Sequence, residues 1–235
     1  MRLHFCIIFI FFEVFMDFRG KKIVFLGDSI TEGYGVSCEE NIYLNRIKSE
    51  CGLREAVNYG IGGTRFAYQN GSGGYSEGEF KDIDGCMANR FDKMDNDADA
   101  VVLFGGTNDF GHGDAPMGTM ADRTPDTFYG ACHYIFSGLL RKYLGKPIVV
   151  MTPVHRLIED ESLAKKAPIT LLDYVNVIRE VSEYYGLYLL DLYKYCPLQP
   201  KVLEVGEKYM PDGLHPNDEG HAIIARMLKK FLENI

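Results

Sequence analysis

A serine hydroxyl attacks a carbonyl efficiently only when a base takes its proton, and the usual base is an imidazole oriented by a carboxylate. The residues for such a relay are present. Ser29 lies in "FLGDSITEGYG", Phe25 to Gly35, and Asp212 and His215 stand three residues apart in "DGLHP", Asp212 to Pro216. On a turn that enters a helix, the Asp212 carboxylate can hold Nδ1 of His215 and leave Nε2 free for Ser29. Acyl transfer also needs donors for the charge that develops on the carbonyl oxygen. A glycine N–H in "NYGIGGT" (Asn58 to Thr64) and the Asn108 amide in "GGTND" (Gly105 to Asp109) supply two, and the N–H of Ser29 a third. Blander roles compete: Ser29 is a good helix N-cap that Glu32, three residues on, would complete as a capping box, and Asn108 could brace a turn.

The fold must gather these residues. Short β-branched runs alternate with helical patterns, which predicts βαβ units and a parallel sheet. The runs are Ile23 to Gly27, a weaker Glu55 to Gly60, Ala100 to Gly106, Pro147 to Pro153 and Leu187 to Tyr193. The strongest lack polar alternation, as strands covered on both faces do. Apolar stripes at helical spacing run through Phe128, Cys132, Ile135 and Leu139, through Tyr174, Ile178, Val181 and Tyr185, and through Ile224, Met227, Leu228 and Phe231. The expected fold class is α/β, a three-layer α/β/α domain with a five-stranded parallel sheet. Long loops are expected near residues 64–85, 110–124, 154–168 and 194–211. Ligands of such sheets bind beyond the carboxyl ends of the strands. Gly27-Asp28-Ser29, Asn58 to Thr64 and Gly105 to Asp109 follow the first three strands, and Asp212 to Pro216 follows the fifth.

In this order the four blocks resemble those of the SGNH hydrolases, also called GDSL esterases and lipases: "GDSIT", "GIGGT", "GGTND" and "DGLHP". The resemblance runs from Ile23 to the carboxyl terminus and implies a flavodoxin-like sheet and a serine hydrolase acting on carboxylic esters, without cofactor or metal. By motif position it makes Ser29 the nucleophile, His215 the base, Asp212 its orienting partner, and Ser29, Gly63 and Asn108 the oxyanion donors. Gly62 is adjacent and fits as well; Gly63 is preferred, five residues past Asn58. Many relatives carry aspartate where this chain has Thr64. Asp28, Thr64 and His112 are expected at the substrate. Of the other histidines, His133, His155 and His221 are expected to be structural or exposed, with His221 near solvent.

Composition narrows the partners. The chain has 235 residues, 46% of them hydrophobic, enough for one sizeable core. A net charge of -8 argues against nucleic acid or an anionic membrane as the main partner. A small-molecule or carbohydrate ester fits better, with no obligatory membrane partner. Six cysteines are spread singly, without metal-ligand spacing. Residues 1–20 form an apolar extension ahead of a hydrolase domain at 21–235. Its run "LHFCIIFIFF" is too short to span a bilayer and lacks a small-residue cleavage site. A cytoplasmic location is favoured, with export or anchoring if residues 1–16 are a genuine signal. The "GYSEG" around Ser76 fits an elbow pattern but has no strand before it. Neither common phosphate-binding glycine motif occurs. The loop Phe66 to Tyr75 is expected to line the substrate. The expected activity is hydrolysis of short acyl, acetyl-type esters, including those on carbohydrate. The alternatives are a thioesterase or lysophospholipase of the same family, and a non-catalytic ligand-binding module.

Overall fold

The computed structural model describes residues 16–68, 85–161 and 168–235. Five strands, β1 (Lys22–Gly27), β2 (Glu55–Gly60), β3 (Ala100–Phe104), β4 (Ile148–Met151) and β5 (Tyr188–Leu190), pair in parallel in the order β2-β1-β3-β4-β5. Strand order reverses between β1 and β3, so the crevice expected to take a ligand opens beyond Gly27 and Phe104, which are register partners.

Pleating divides the strand residues between two apolar layers. Val24, Leu26, Val101, Leu103 and Val150 face one layer, with α4 (Phe128–Lys142) and α5 (Leu171–Tyr185). Ile23, Phe25, Val102, Phe104, Val149 and Met151 face the other, with α2 (Tyr43–Cys51) and α8 (Asp218–Leu232). The expected stripe Phe128, Cys132, Ile135 and Leu139 is wholly buried, as are Tyr174, Ile178 and Val181. Helix α5 begins in a capping box between Thr170 and Asp173 and stops where Gly186 turns left-handed, at φ 62°. Ahead of β1, Phe18 is buried in the α2/α8 layer and the Met16 N–H donates to the Ile235 carbonyl at 3.0 Å.

Shorter helices follow the strands or join the longer helices: α1 (Ser29–Glu32), α3 (Thr107–Gly111), α6 (Leu192–Tyr195) and α7 (Leu203–Tyr209). The region read as a loop at 194–211 therefore contains a helix. Its signal is masked by Gly206, which is needed because a Cβ there would lie 2.9 Å from the Pro200 carbonyl. The strands β3, β4 and β5 are also shorter than the apolar runs that mark them; Leu192, at the end of the fifth run, starts α6.

Two expectations about side chains are corrected. His221 is fully buried, because it lies on the same face of α8 as Ile224, Ala225 and Leu228; its Nδ1 accepts the Tyr43 N–H at 3.2 Å. Phe66 does not line a substrate surface: it is buried in the core and stacked on Phe128 with ring centroids 5.9 Å apart. The rest of the stretch to Tyr75 beyond Tyr68, and Ser76, lie outside the described residues.

Candidate active site

Strand β1 runs directly into α1, and the junction fixes Ser29. The helix cap is Asp28, not Ser29: its Oδ1 accepts the Ile30 N–H at 3.0 Å. Ser29 is thereby freed to turn its hydroxyl elsewhere, and no capping box forms because Glu32 reaches across to the Gly62 N–H at 2.9 Å. Helix α1 crosses so close above β2 that a Cβ on Gly60 would lie 2.1 Å from the Glu32 nitrogen; only glycine permits the crossing.

The hydroxyl finds His215, 186 residues away: Ser29 Oγ lies 2.9 Å from His215 Nε2. His215 Nδ1 lies 2.6 Å from Asp212 Oδ2, while Asp212 Oδ1 accepts the N–H groups of His215 at 2.7 Å and Leu214 at 2.9 Å. A carboxylate can only accept, so Nδ1 carries the proton and Nε2 is left to accept from the Ser29 hydroxyl. Partial burial would raise the Asp212 pKa, but the His215 backbone and side-chain donors and the Leu214 N–H outweigh it and hold Asp212 below the usual carboxylate value. The imidazole is backed by Tyr34, whose ring centroid lies 4.4 Å away. Gly35, at φ 94°, lets this loop approach; a Cβ there would lie 2.6 Å from the Pro216 carbonyl.

The candidate donors surround the same turn. The Gly62 N–H is occupied by Glu32, whereas Gly63 follows it on the side toward Thr64. Asn108, in the first turn of α3, is buried and donates one amide hydrogen to the Thr64 carbonyl at 3.0 Å. The amide has a second hydrogen to offer.

The model of the GDSL-like Lipase/Acylhydrolase family matches residues 25–223. The chain belongs to that family. It is a hydrolase, and esters are the family's general substrates. Among solved structures, a protein from Lactobacillus plantarum is 28% identical, with a TM-score of 0.77 over 91% of this chain and 97% of its own. Two further structures share the fold. A lipase/acylhydrolase from Enterococcus faecalis is 21% identical, with a TM-score of 0.62 and coverage of 91% and 95%. A carbohydrate acetylesterase family member from Sinorhizobium meliloti is 18% identical, with a TM-score of 0.58 and coverage of 89% and 96%. No curated protein matches the sequence.

Two residues expected at the substrate of this GDSL-like hydrolase lie beneath the site instead. Asp28 is 2% exposed, and burial pushes its pKa up to about 7 against the pull of the Ile30 N–H and the Arg90 cation. Thr64 is equally buried, donating Oγ1 to the Ile61 carbonyl at 2.7 Å. Both are turned inward because their polar atoms are needed to close the two loops. His112 is half-buried with Nδ1 3.1 Å from Arg65 Nη1; burial and that cation push its pKa down to about 4, so the ring is neutral and accepts from Arg65. Sequence reasoning also missed Asp109. Its buried carboxylate accepts the N–H groups of Phe66 at 2.9 Å and Ala67 at 3.0 Å, anchoring the chain beyond Thr64, and burial lifts its pKa to about 6.

Proposed function

We propose that this hydrolase is a serine esterase that cleaves carboxylic esters of short acyl groups, acetyl esters on carbohydrates among them, through an acyl-enzyme. The observation that carries the reading is the continuous contact from Ser29 Oγ through the imidazole of His215 to Asp212. In this reading His215 takes the Ser29 proton as Oγ attacks the ester carbonyl and then gives it to the departing alcohol. Asp212 holds the imidazole in the tautomer that can do so. The oxyanion rests on the N–H of Ser29, the N–H of Gly63 and the free hydrogen of the Asn108 amide. Gly63 is favoured over Gly62 because Glu32 already accepts the Gly62 N–H. His112, on the Arg65 side, is proposed to meet substrate as a neutral ring. A water activated by His215 then releases the acyl group.

The fold shared with a carbohydrate acetylesterase family member supports the acetyl reading. A second reading, a lysophospholipase or thioesterase with a longer acyl chain, is favoured by the exposed Leu157 and Ile158. The Leu157 N–H donates to the Gly213 carbonyl at 2.7 Å, which places this apolar pair beside Asp212.

A chain-length series of nitrophenyl esters, run with acetylated sugars, tests both. Acetate and acetyl-sugar turnover that disappears in Ser29→Ala is expected. A maximum at long chains selects the second reading, and undiminished turnover in Ser29→Ala refutes the mechanism.

A further inference from the structure

Arg90 belongs to no motif of the site and sits between two short 3-10 turns, Met87–Asn89 and Phe91–Lys93. Yet its guanidinium is buried directly beneath the crevice. Nη2 donates to the Gly27 carbonyl at 2.6 Å and to Thr64 Oγ1 at 2.9 Å, Nη1 donates to the Tyr59 carbonyl, and Nε donates to the Gly85 carbonyl at 3.2 Å. These acceptors end β1, nearly end β2, follow Gly63, and open the segment that leads back to Arg90 itself.

Burial lowers the Arg90 pKa to about 10, so the group remains a cation at neutral pH. A buried cation is costly to desolvate, and a hydrocarbon of similar volume often serves folding as well or better. What a hydrocarbon cannot do is fix several chain segments in one plane; the rigid fork of five N–H groups does. Thr64 is gripped a second time, from the first turn of α3, by the Asn108 amide on its carbonyl. Ser29 lies two residues past one Arg90 acceptor, Gly63 immediately before another, and Asn108 holds that same residue. All three proposed oxyanion donors therefore share one brace.

We infer that Arg90 is a positioning residue for the oxyanion hole and that Thr64 is the joint through which it acts. The inference rests on the reading of Ser29, Gly63 and Asn108 proposed above. It differs from a purely structural role in what it predicts for folded protein. A misplacement of about 1 Å at a reacting centre costs up to roughly 100-fold in rate. Loosening the brace should therefore lower kcat and leave KM nearly unchanged.

The test uses Arg90→Lys, which keeps the charge but not the fork, and Thr64→Val, which keeps the shape but not the hydroxyl, with Thr64→Ser as the conservative rescue. Turnover of nitrophenyl acetate is measured per active site counted by a fluorophosphonate label, and affinity is measured for a boronic acid that adds to the serine as a tetrahedral adduct. In Arg90→Lys and Thr64→Val, kcat and boronate affinity should fall together by roughly 10- to 100-fold, with KM within about twofold, and Thr64→Ser should recover most of the loss. Folded variants that keep kcat per labelled site, or that change only KM, overturn the inference. Should Arg90→Lys fail to fold, Thr64→Val and Thr64→Ser decide alone. Ser29→Ala is run beside them. If it stays active, the reading of the site falls and takes the brace with it; if it is dead while Thr64→Val is intact, only the brace falls.

Discussion

Replacing Asp28 by asparagine removes a charge while keeping a cap, because the amide oxygen still accepts the Ile30 N–H and asparagine is as good an N-cap as aspartate. Burial lifts the Asp28 pKa from 3.8 to about 7. The folded chain therefore keeps a proton on Asp28 between about pH 4 and pH 7 that the unfolded chain has already released. Stability from this group is fully present below about pH 4 and is lost as pH rises through 7. That rise in pKa, at about 1.36 kcal/mol per pH unit, sets an upper limit near 4 kcal/mol, of which about 2 to 3 kcal/mol is lost between pH 5 and pH 8. The charges facing Asp28 are the Arg90 cation and the Asp109 carboxylate. The pull of Arg90 and the push of Asp109 are both contained in that raised pKa. Urea unfolding at pH 5 and pH 8, followed by circular dichroism because the chain has no tryptophan, should show Asp28→Asn gaining about 2 to 3 kcal/mol on wild type between the two pH values. A gain below about 0.5 kcal/mol would mean that the carboxylate ionises in place without penalty, and the account of its burial would be wrong.

Asn108→Ala should lower kcat roughly 10²- to 10³-fold, the usual loss for one oxyanion donor, with the melting temperature compared to separate this from unfolding. Gly60→Ala should lose about 1–3 kcal/mol in chemical denaturation, since the new methyl would meet the Glu32 nitrogen at 2.1 Å, and should lose ester turnover beyond that, because the collision lifts α1 and Ser29 with it.

The layers were legible because burial on a helix or a covered strand repeats at a fixed period. Phe128, Cys132, Ile135 and Leu139 announce their face by spacing alone. The same rule reaches further than composition suggests. His221 reads as polar and exposed by type, but it stands in step with Ile224, Ala225 and Leu228; its period was the better guide. Ser29, Asp212 and His215 were read for another reason: they stand in short blocks whose order resembles that of the SGNH hydrolases, with Asp212 and His215 three residues apart. Arg90 left no such trace. Three of its four partners lie 26, 31 and 63 residues away, at Thr64, Tyr59 and Gly27, and only the closed sheet brings them to it. Asp28 and Thr64 sat in the expected blocks, but which way a loop side chain turns depends on such remote partners. Spacing says nothing of it.

Ser29 and the imidazole that touches it are separated by 186 positions of chain. During synthesis the first strand and its serine emerge long before the turn that carries His215 and the helix that seats it. A nascent chain holding the hydroxyl alone has no base and meets esters as an ordinary alcohol would. On the proposed mechanism, reactivity therefore arrives late, when the turn that carries His215 closes on Ser29.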